Sequence, residues 1–233
     1  MENLSNKNDV TAVVLAGGFS TRLGQSKPLL KIGGKLLLAR VADTLRPIVD
    51  ELILVVRPDQ DDAVPDLGMA LRMHVVSDSQ PYKGPLAAIH AGLEASMTKF
   101  AFVVGADHPF ISRKLIRMLI KTANNEAKKR RSVFIKTTET IQPLHSVLEV
   151  EKWSRIILSA LESGEHSFKS LLKSSIKDNY PPIELLSEKD IEPFDKKHLS
   201  LLDIDTTSDL GIVRKILSVQ NITSRPDIRA GGL

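Results

Sequence analysis

The chain has 233 residues, 42% of them apolar, a formal net charge of +4 and no cysteine. It can build a sizeable core as one large domain or two small ones, while disulfides and thiolate metal sites are excluded. Only 4% of the residues are aromatic, too few to interleave with the one dense basic cluster, Lys128 to Arg131, as a nucleic-acid surface would require. That cluster reads as a solvated helix end and loop. The first nine residues are polar, unlike a signal peptide, and no run approaches the ~18 apolar residues of a membrane helix. Neither a membrane nor a nucleic acid is expected as a partner, and the lack of cysteine suits a reducing compartment.

Strand and helix patterns alternate along the first two thirds. Val10–Ala16 is a buried-strand run. Leu36–Leu45 has a helical apolar face and ends near Pro47. Glu51–Val56 and Arg72–Val76 read as strands, Pro85–Ser96 as a helix and Lys99–Ala106 as a buried strand. Ser112 is placed to cap a helix running to about Glu126. Ser132–Lys136 and Leu144–Val150 are further strands, followed by helices near Glu151–Glu162 and Ser167–Ser174. Leu199–Asp203 reads as short and extended, and Ser208–Val219 as a last helix. Residues 220–233 lack periodicity and read as a loose, flexible tail. The alternation predicts an α/β fold, a Rossmann-like, mostly parallel sheet with helices on both faces in three layers. Ligands of such sheets bind beyond the carboxyl ends of the strands, and each motif below follows a strand directly.

The most informative stretch is Leu15-Ala-Gly-Gly-Phe-Ser-Thr-Arg-Leu-Gly-Gln-Ser-Lys27. Gly17 and Gly18 permit a sharp turn whose bare N–H groups can face a phosphate. Arg22 and Lys27 follow at spacings that can bring two positive charges over it. The layout is that of a nucleoside triphosphate site, yet it is neither a Walker A motif nor a Gly-x-Gly-x-x-Gly fingerprint. Asp78, just past a strand, can accept the N1–H and amino protons of a guanine or bond a ribose hydroxyl; taken alone it reads better as a turn former or cap. Asp107 stands at the mouth of a buried strand in a rigid Asp-x-Pro turn and suits Mg2+, which takes one or two protein carboxylates and completes its shell with phosphate and water. No His stands at zinc spacing.

Residues 15–27 also carry Leu-Ala-Gly-Gly-x-Ser-x-Arg-x-Gly-x-x-Lys at every fixed position. In this the chain closely resembles the molybdenum cofactor guanylyltransferase family, within the broader group of nucleotidyltransferases with a Rossmann-like sheet. Cytidylyl relatives more often have Leu-Ala-Ala-Gly. The resemblance spans roughly residues 10–219, tight at the first loop, good at Asp107 and loose after Val150. It implies one nucleotidyltransferase domain over residues 1–219 that moves GMP from GTP to molybdopterin or Mo-molybdopterin with Mg2+ as cofactor. It further implies a cytoplasmic location and handover partners among molybdoenzyme maturation proteins. By resemblance, Leu15, Ala16, Gly17, Gly18, Lys27, Asp78 and Asp107 bind the nucleotide; Arg22, Lys27 and Asp107 are catalytic; Asp107 holds the metal.

Leu202-Asp-Ile-Asp-Thr-Thr-Ser-Asp-Leu210 stands where that family has Asn-x-Asn-Thr-Pro-Glu-Asp-Leu. Here Asp203 and Asp205 replace asparagines and Thr207 replaces proline. The resemblance assigns Asp205 to the metal site, with extra negative charge beside the triphosphate; the plainer reading is a cap for the last helix, which Thr207 or Ser208 can also supply. His145 reads as a strand or pocket-wall residue. Gly164–Lys169 resembles a pterin-binding loop, although Lys169 itself reads better as a solvated helix lysine. The alternatives are a CTP-dependent molybdopterin cytidylyltransferase or a sugar-phosphate nucleotidyltransferase, and a non-catalytic nucleotide-binding adaptor. The full set Arg22, Lys27 and Asp107 argues against the adaptor.

Overall fold

A computed structural model describes residues 9–17, 23–78, 84–128 and 131–223. The first apolar run forms β1 (Val10–Leu15), buried on both sides as a central parallel strand should be. Pro28 sits at the start of a single 3₁₀ turn, Lys27–Leu29, where its missing N–H costs nothing. A tight hairpin follows, β2 (Lys31–Ile32) and β3 (Lys35–Leu36), turned by Gly33 and Gly34 at φ of 57° and 82°. Next come α1 (Leu37–Leu45), β4 (Glu51–Val56), α2 (Ala63–Ala70), β5 (His74–Ser77), α3 (Pro85–Glu94), β6 (Phe100–Gly105) and α4 (Arg113–Ala123). The second part holds β7 (Ser132–Lys136), β8 (Ile141–Glu149), α5 (Val150–Glu162), α6 (Phe168–Asp178), β9 (Ile183–Ser187), α7 (Glu188–Ile191) and α8 (Thr207–Thr223).

The main sheet has the order β5-β4-β1-β6-β8-β7-β9. Neighbours are parallel except around β8, which runs antiparallel to β6 and β7. The strand order reverses between β1 and β6, the switch point at which such sheets open a crevice. One face, with Val10, Ala12 and Val14 of β1, packs on α1, α2 and α4; the other, with Val13, packs on α3, α5 and α6. On that second face Phe134, Trp153 and Phe168 form an aromatic cluster with ring centroids 5.5–6.1 Å apart, and the buried Trp153 indole donates to Ser132 Oγ at 2.7 Å. A third apolar cluster lies outside the layers. It joins Leu30, Ile32 and Leu37 from the start of the chain to Ile204, Leu210, Val213 and Leu217 near its end.

The three-layer α/β expectation is met, with differences at particular elements. Helix α2 escapes the sequence pattern because it contains Pro65 and Gly68, but Pro65 lies in the first turn, where no N–H is needed. Gly68 is required for contact: a Cβ there would lie 2.5 Å from Leu54 Cδ2. The β2–β3 hairpin, β9 and α7 are too short for periodicity to reveal. Strand β8 begins at Ile141 rather than Leu144, and α6 runs on to Asp178. Leu199–Asp203 is not extended; Leu199–Leu201 form a 3₁₀ turn because Asp195 accepts from the N–H groups of Leu199 (3.1 Å) and Ser200 (2.8 Å). Helix α8 continues to Thr223, four residues into the segment expected to be loose; the rest of that segment lies outside the described residues.

Gly92 of α3 allows that helix to lie directly on the sheet: a Cβ would fall 2.3 Å from Val13 Cγ1 and 3.2 Å from Val55 Cγ2. Helix propensity favours Ala over Gly by about 1 kcal/mol, whereas overpacking a filled core costs about 1–3 kcal/mol. Gly92→Ala should therefore destabilise the protein in a urea titration; an unchanged or higher midpoint would show that α3 is not seated in this way.

Candidate functional site

At the carboxyl edge of the sheet the ladder runs past the strand ends. Ala16 N–H donates to Val55 O, Ala106 N–H to Leu15 O and Asp78 N–H to Val56 O, each at 2.9 Å. Gly17, Arg57, Asp78 and the Gly105–Asp107 segment thereby come to one rim. A cavity of about 320 Å³ opens there, lined among others by Leu15, Gly17, Arg57, Asp78, Asp107 and Leu144. Asp78 follows β5 and Asp107 follows β6, so the cavity spans three strand spacings, about 14 Å.

The densest chemistry lies at its Asp107 end. Lys27 Nζ donates to Asp107 Oδ2 at 3.1 Å and to Asp205 Oδ1 at 2.5 Å, joining parts of the chain 80 and 178 residues apart. Two further features bring these groups together. The third apolar cluster clamps the segment after Lys27 against α8, and Ile204 N–H donates to the Asp107 backbone carbonyl at 3.2 Å. Burial alone favours a neutral Lys27 amine, but Asp205 and Asp107 together outweigh it and raise its pKa. Burial likewise pushes the Asp107 carboxyl up; His108, then Lys27, more than reverse this and hold it at about 2. Gly105 makes room for that carboxylate, since a Cβ there would lie 2.3 Å from Asp107 Oδ1.

Behind Asp107 stands a histidine pair. His108 Nδ1 is 3.0 Å from Asp107 Oδ1, close in distance but not aligned as a hydrogen bond. Its ring lies 4.6 Å from that of His145, centroid to centroid. His145 takes a left-handed φ of 58° inside β8, where the β7–β8 register is broken. A bulge of this kind re-aims a side chain, and here it turns His145 inward against Phe102 and His108. Complete burial, and next the neighbouring His108, lower the His145 pKa well below the usual histidine value, so at neutral pH it is an uncharged packing group. Burial raises the Asp203 carboxyl, partly offset by His108 and reinforced by Asp205 and Asp107.

The segment around Asp205 is held by its own cap. Asp209 Oδ2 accepts from the N–H groups of Asp205 (3.1 Å) and Thr206 (2.7 Å), while Thr206 Oγ1 accepts from Asp209 N–H at 3.2 Å. This reciprocal box starts α8. The cap is thus Thr206 with Asp209, not Thr207 or Ser208, and the Asp205 side chain is left to meet Lys27.

Of the residues singled out from sequence, Leu15, Gly17, Asp78 and Asp107 line one cavity, with Lys27 and Asp205 at its acidic end. Ala16 does not line it: its side chain is buried in the core and its N–H is taken by Val55. Gly18 and Arg22 lie outside the described residues. Arg57 was not foreseen, although a charged residue immediately after a buried strand is the signal that drew attention to Asp78 and Asp107. Burial raises the Asp78 carboxyl, and Arg57 partly offsets this. Asp107 and Asp205 converge on one point already filled by a cation, the Lys27 ammonium. Two carboxylates suit a Mg2+ that draws its remaining ligands from phosphate and water. Among the described residues no three metal-ligating side chains gather into a closed metal cage. No helix among them is long and apolar enough to cross a membrane. Arg131 of the basic cluster pairs with Glu184 at 3.4 Å.

Comparison with known proteins adds to this geometry. The profile of the family described as MobA-like NTP transferase domain matches residues 12–179. A probable molybdenum cofactor guanylyltransferase of Natronomonas pharaonis is 30% identical over 209 residues, 89% of this chain and 98% of that protein. One from Pelotomaculum thermopropionicum is 28% identical over 219 residues, 92% and 96% of the two chains. Among solved structures, molybdopterin-guanine dinucleotide biosynthesis protein A from Archaeoglobus fulgidus superposes with a TM-score of 0.72 at 21% identity, covering 90% of this chain and 99% of that one. A CMP:2-keto-3-deoxy-manno-octonic acid synthetase complexed with CTP gives a TM-score of 0.63 at 12% identity, covering 91% and 99%; at such identities both likenesses bear on the fold alone. With its profile match over more than half its length and its Gly17 and Asp107 on one rim of a nucleotide-binding type of sheet, the chain belongs to the MobA-like NTP transferase family and is a nucleotidyltransferase.

Proposed function

We propose that the protein transfers GMP from GTP to molybdopterin, or to its molybdenum-bearing form, and releases pyrophosphate. The observation that carries this reading is Lys27 held between Asp107 and Asp205 at one end of a cavity whose other end presents Asp78. The curated relatives named molybdenum cofactor guanylyltransferase support the choice of base and acceptor. A terminal phosphate oxygen of the acceptor attacks the α-phosphorus of GTP; the bond from that phosphorus to the bridging oxygen breaks, and pyrophosphate departs with the electron pair. The nucleophile is already an anion, so no strong general base is needed, and the barrier lies in bringing anion to anion. Positioning and charge neutralisation therefore dominate.

The Gly17 amide receives the phosphates, and Lys27 neutralises charge on the leaving pyrophosphate. Asp107 and Asp205 would hold Mg2+, which when bound supplies further neutralisation across the phosphates. Lys27 stands in for that cation in the free protein. When nucleotide and metal arrive, Lys27 gives up its carboxylate partners and turns its ammonium to the phosphate oxygens.

Lys27→Ala should slow guanylyl transfer by at least about tenfold, while manganese binding to the nucleotide-free variant, read by electron paramagnetic resonance, should tighten about threefold or more because the competing ammonium is gone. Manganese affinity equal to or weaker than wild type would remove the stand-in role. In a thermal-shift panel with Mg2+ and GTP, CTP, UTP or ATP, only GTP at a hundredfold excess over its Kd should stabilise the fold by about 2.7 kcal/mol. A larger shift with CTP would replace the guanylyl reading with the cytidylyl one.

A further inference from the structure

The layer formed by α1, α2 and α4 carries two oppositely charged stripes on its outer side. Each of these helices lies between two strands that run the same way in the main sheet, so all three run back from the carboxyl rim in one direction. Helix α1 is the middle one. Arg46, just past its end, donates to the Leu71 carbonyl at the end of α2, and Arg113, the first residue of α4, donates to the Asp43 carbonyl of α1 at 2.8 Å. On α2, Val64 and Gly68 are buried and Leu67 and Leu71 pack inward with them. Asp62, Asp66 and Met69 share the opposite side at helical spacing, and all three are exposed, Met69 at 59%. On α4, Leu115, Ile116, Leu119, Ile120 and Ala123 are buried, which leaves Lys114, Arg117 and Lys121 outside. These three line a groove of about 520 Å³ with Met118 and the exposed Phe194. None of the five charged side chains takes part in an ion pair among the described residues.

The two stripes match in length and in order. Asp62 to Met69 and Lys114 to Lys121 each cover about 10 Å of helix, and each begins with charge at the start of its helix. One side of α1 thus offers acid with an apolar knob, and the other offers base with an apolar-walled groove. That is the pattern of a self-complementary, isologous contact. A twofold axis parallel to the helices and passing over α1 exchanges the two sides and keeps the helix direction. It sets α2 of one copy on the groove of the other, and the reciprocal contact forms at the same time. Asp62 then stands level with Lys114, Asp66 with Arg117 and Lys121, and Met69 enters the groove beside Met118 and Phe194. We propose that this helix layer is a dimerisation surface and that its partner is a second copy of the chain. A nucleic acid would meet repulsion from the acidic stripe on the same layer, whereas a second copy satisfies both stripes.

Sedimentation velocity of the full-length protein at about 100 µM tests this. A dimer is expected at about 50 mM NaCl, and raising the salt to about 500 mM should weaken it by about tenfold or more. Asp62→Lys/Asp66→Lys and Lys114→Glu/Arg117→Glu/Lys121→Glu should each sediment as monomers, because like charges then meet at both contacts. Asp62 makes no side-chain cap bond and all five side chains are exposed, so both variants should keep the fold. An equimolar mixture of the two should dimerise again, since acid meets base at both contacts of the mixed pair, a recovery that a damaged fold cannot produce. Met69→Ser should weaken the wild-type dimer at least about tenfold through lost apolar burial, with the charges untouched. A wild type that stays monomeric at low salt would overturn the proposal. A dimer that both charge variants retain would overturn it as well, by placing the contact on another face, and so would a mixture that stays monomeric. None of these outcomes bears on the guanylyl reading, whose residues lie at the strand ends rather than on this layer.

Discussion

The site depends on a single cation held between two carboxylates from distant parts of the chain. Lys27 follows the glycine loop, Asp107 follows β6, and Asp205 precedes the last helix; the ion pairs draw the three together at 3.1 and 2.5 Å. A partly buried and an exposed carboxylate that close would repel each other in the absence of positive charge. The ammonium relieves this, and His108, then Lys27, hold Asp107 at a pKa of about 2 despite its burial. What looks like a structural salt bridge is also a seat shaped for positive charge, with room beside it for an anionic ligand.

That seat is supported by apolar packing more than by its own charges. The ring of Leu30, Ile32, Leu37, Ile204, Leu210, Val213 and Leu217 is a small core separate from the two faces of the sheet. Its effect is to fasten the segment after Lys27 to the start of α8. Ile204, its neighbour Asp205 and the Thr206–Asp209 cap act as one unit: the isoleucine is buried, its N–H is bonded to the Asp107 carbonyl, and the capping box fixes the backbone on the other side. Asp205 projects from a constrained loop. Asp205 offers its carboxylate there, and Lys27 meets the charge.

The remainder of the cavity is a consequence of sheet order. With β1 between β4 and β6, and β5 outside β4, the ends of four successive parallel strands offer Asp78, Arg57, Gly17 and Asp107 in that order across the rim. Regular strand spacing makes the rim a ruler of about 14 Å, with the Asp78 carboxylate and Arg57 at one end and Asp107 at the other. The antiparallel β8 closes the second side with Leu144 and, through its bulge, sends His145 to pack behind His108.

Much of this was legible in the sequence, because local signals are strong where strands are buried and loops carry glycine and charge. The runs Val10–Ala16, Arg72–Val76 and Lys99–Ala106 read as strands, and the loops after them named Gly17 and Lys27, then Asp78, then Asp107. Elements whose local signal is weak were missed: α2, whose Gly68 is explained only by the Leu54 side chain against it, and β9, which is extended because β7 pairs with it. The 3₁₀ turn at Leu199–Leu201 depends on the carboxylate of Asp195, several residues away, and so escapes a reading of its own residues. Sequence by itself determined the long buried strands, the loops after them that carry glycine and charge, and the family they resemble, since each follows from residue type and spacing along the chain. Only the tertiary structure decided that Lys27 sits between Asp107 and Asp205, that Arg57 shares a cavity with Asp78, and that Ala16 turns into the core, because these depend on strand order and on packing between segments whose separation along the chain says nothing of their distance in space.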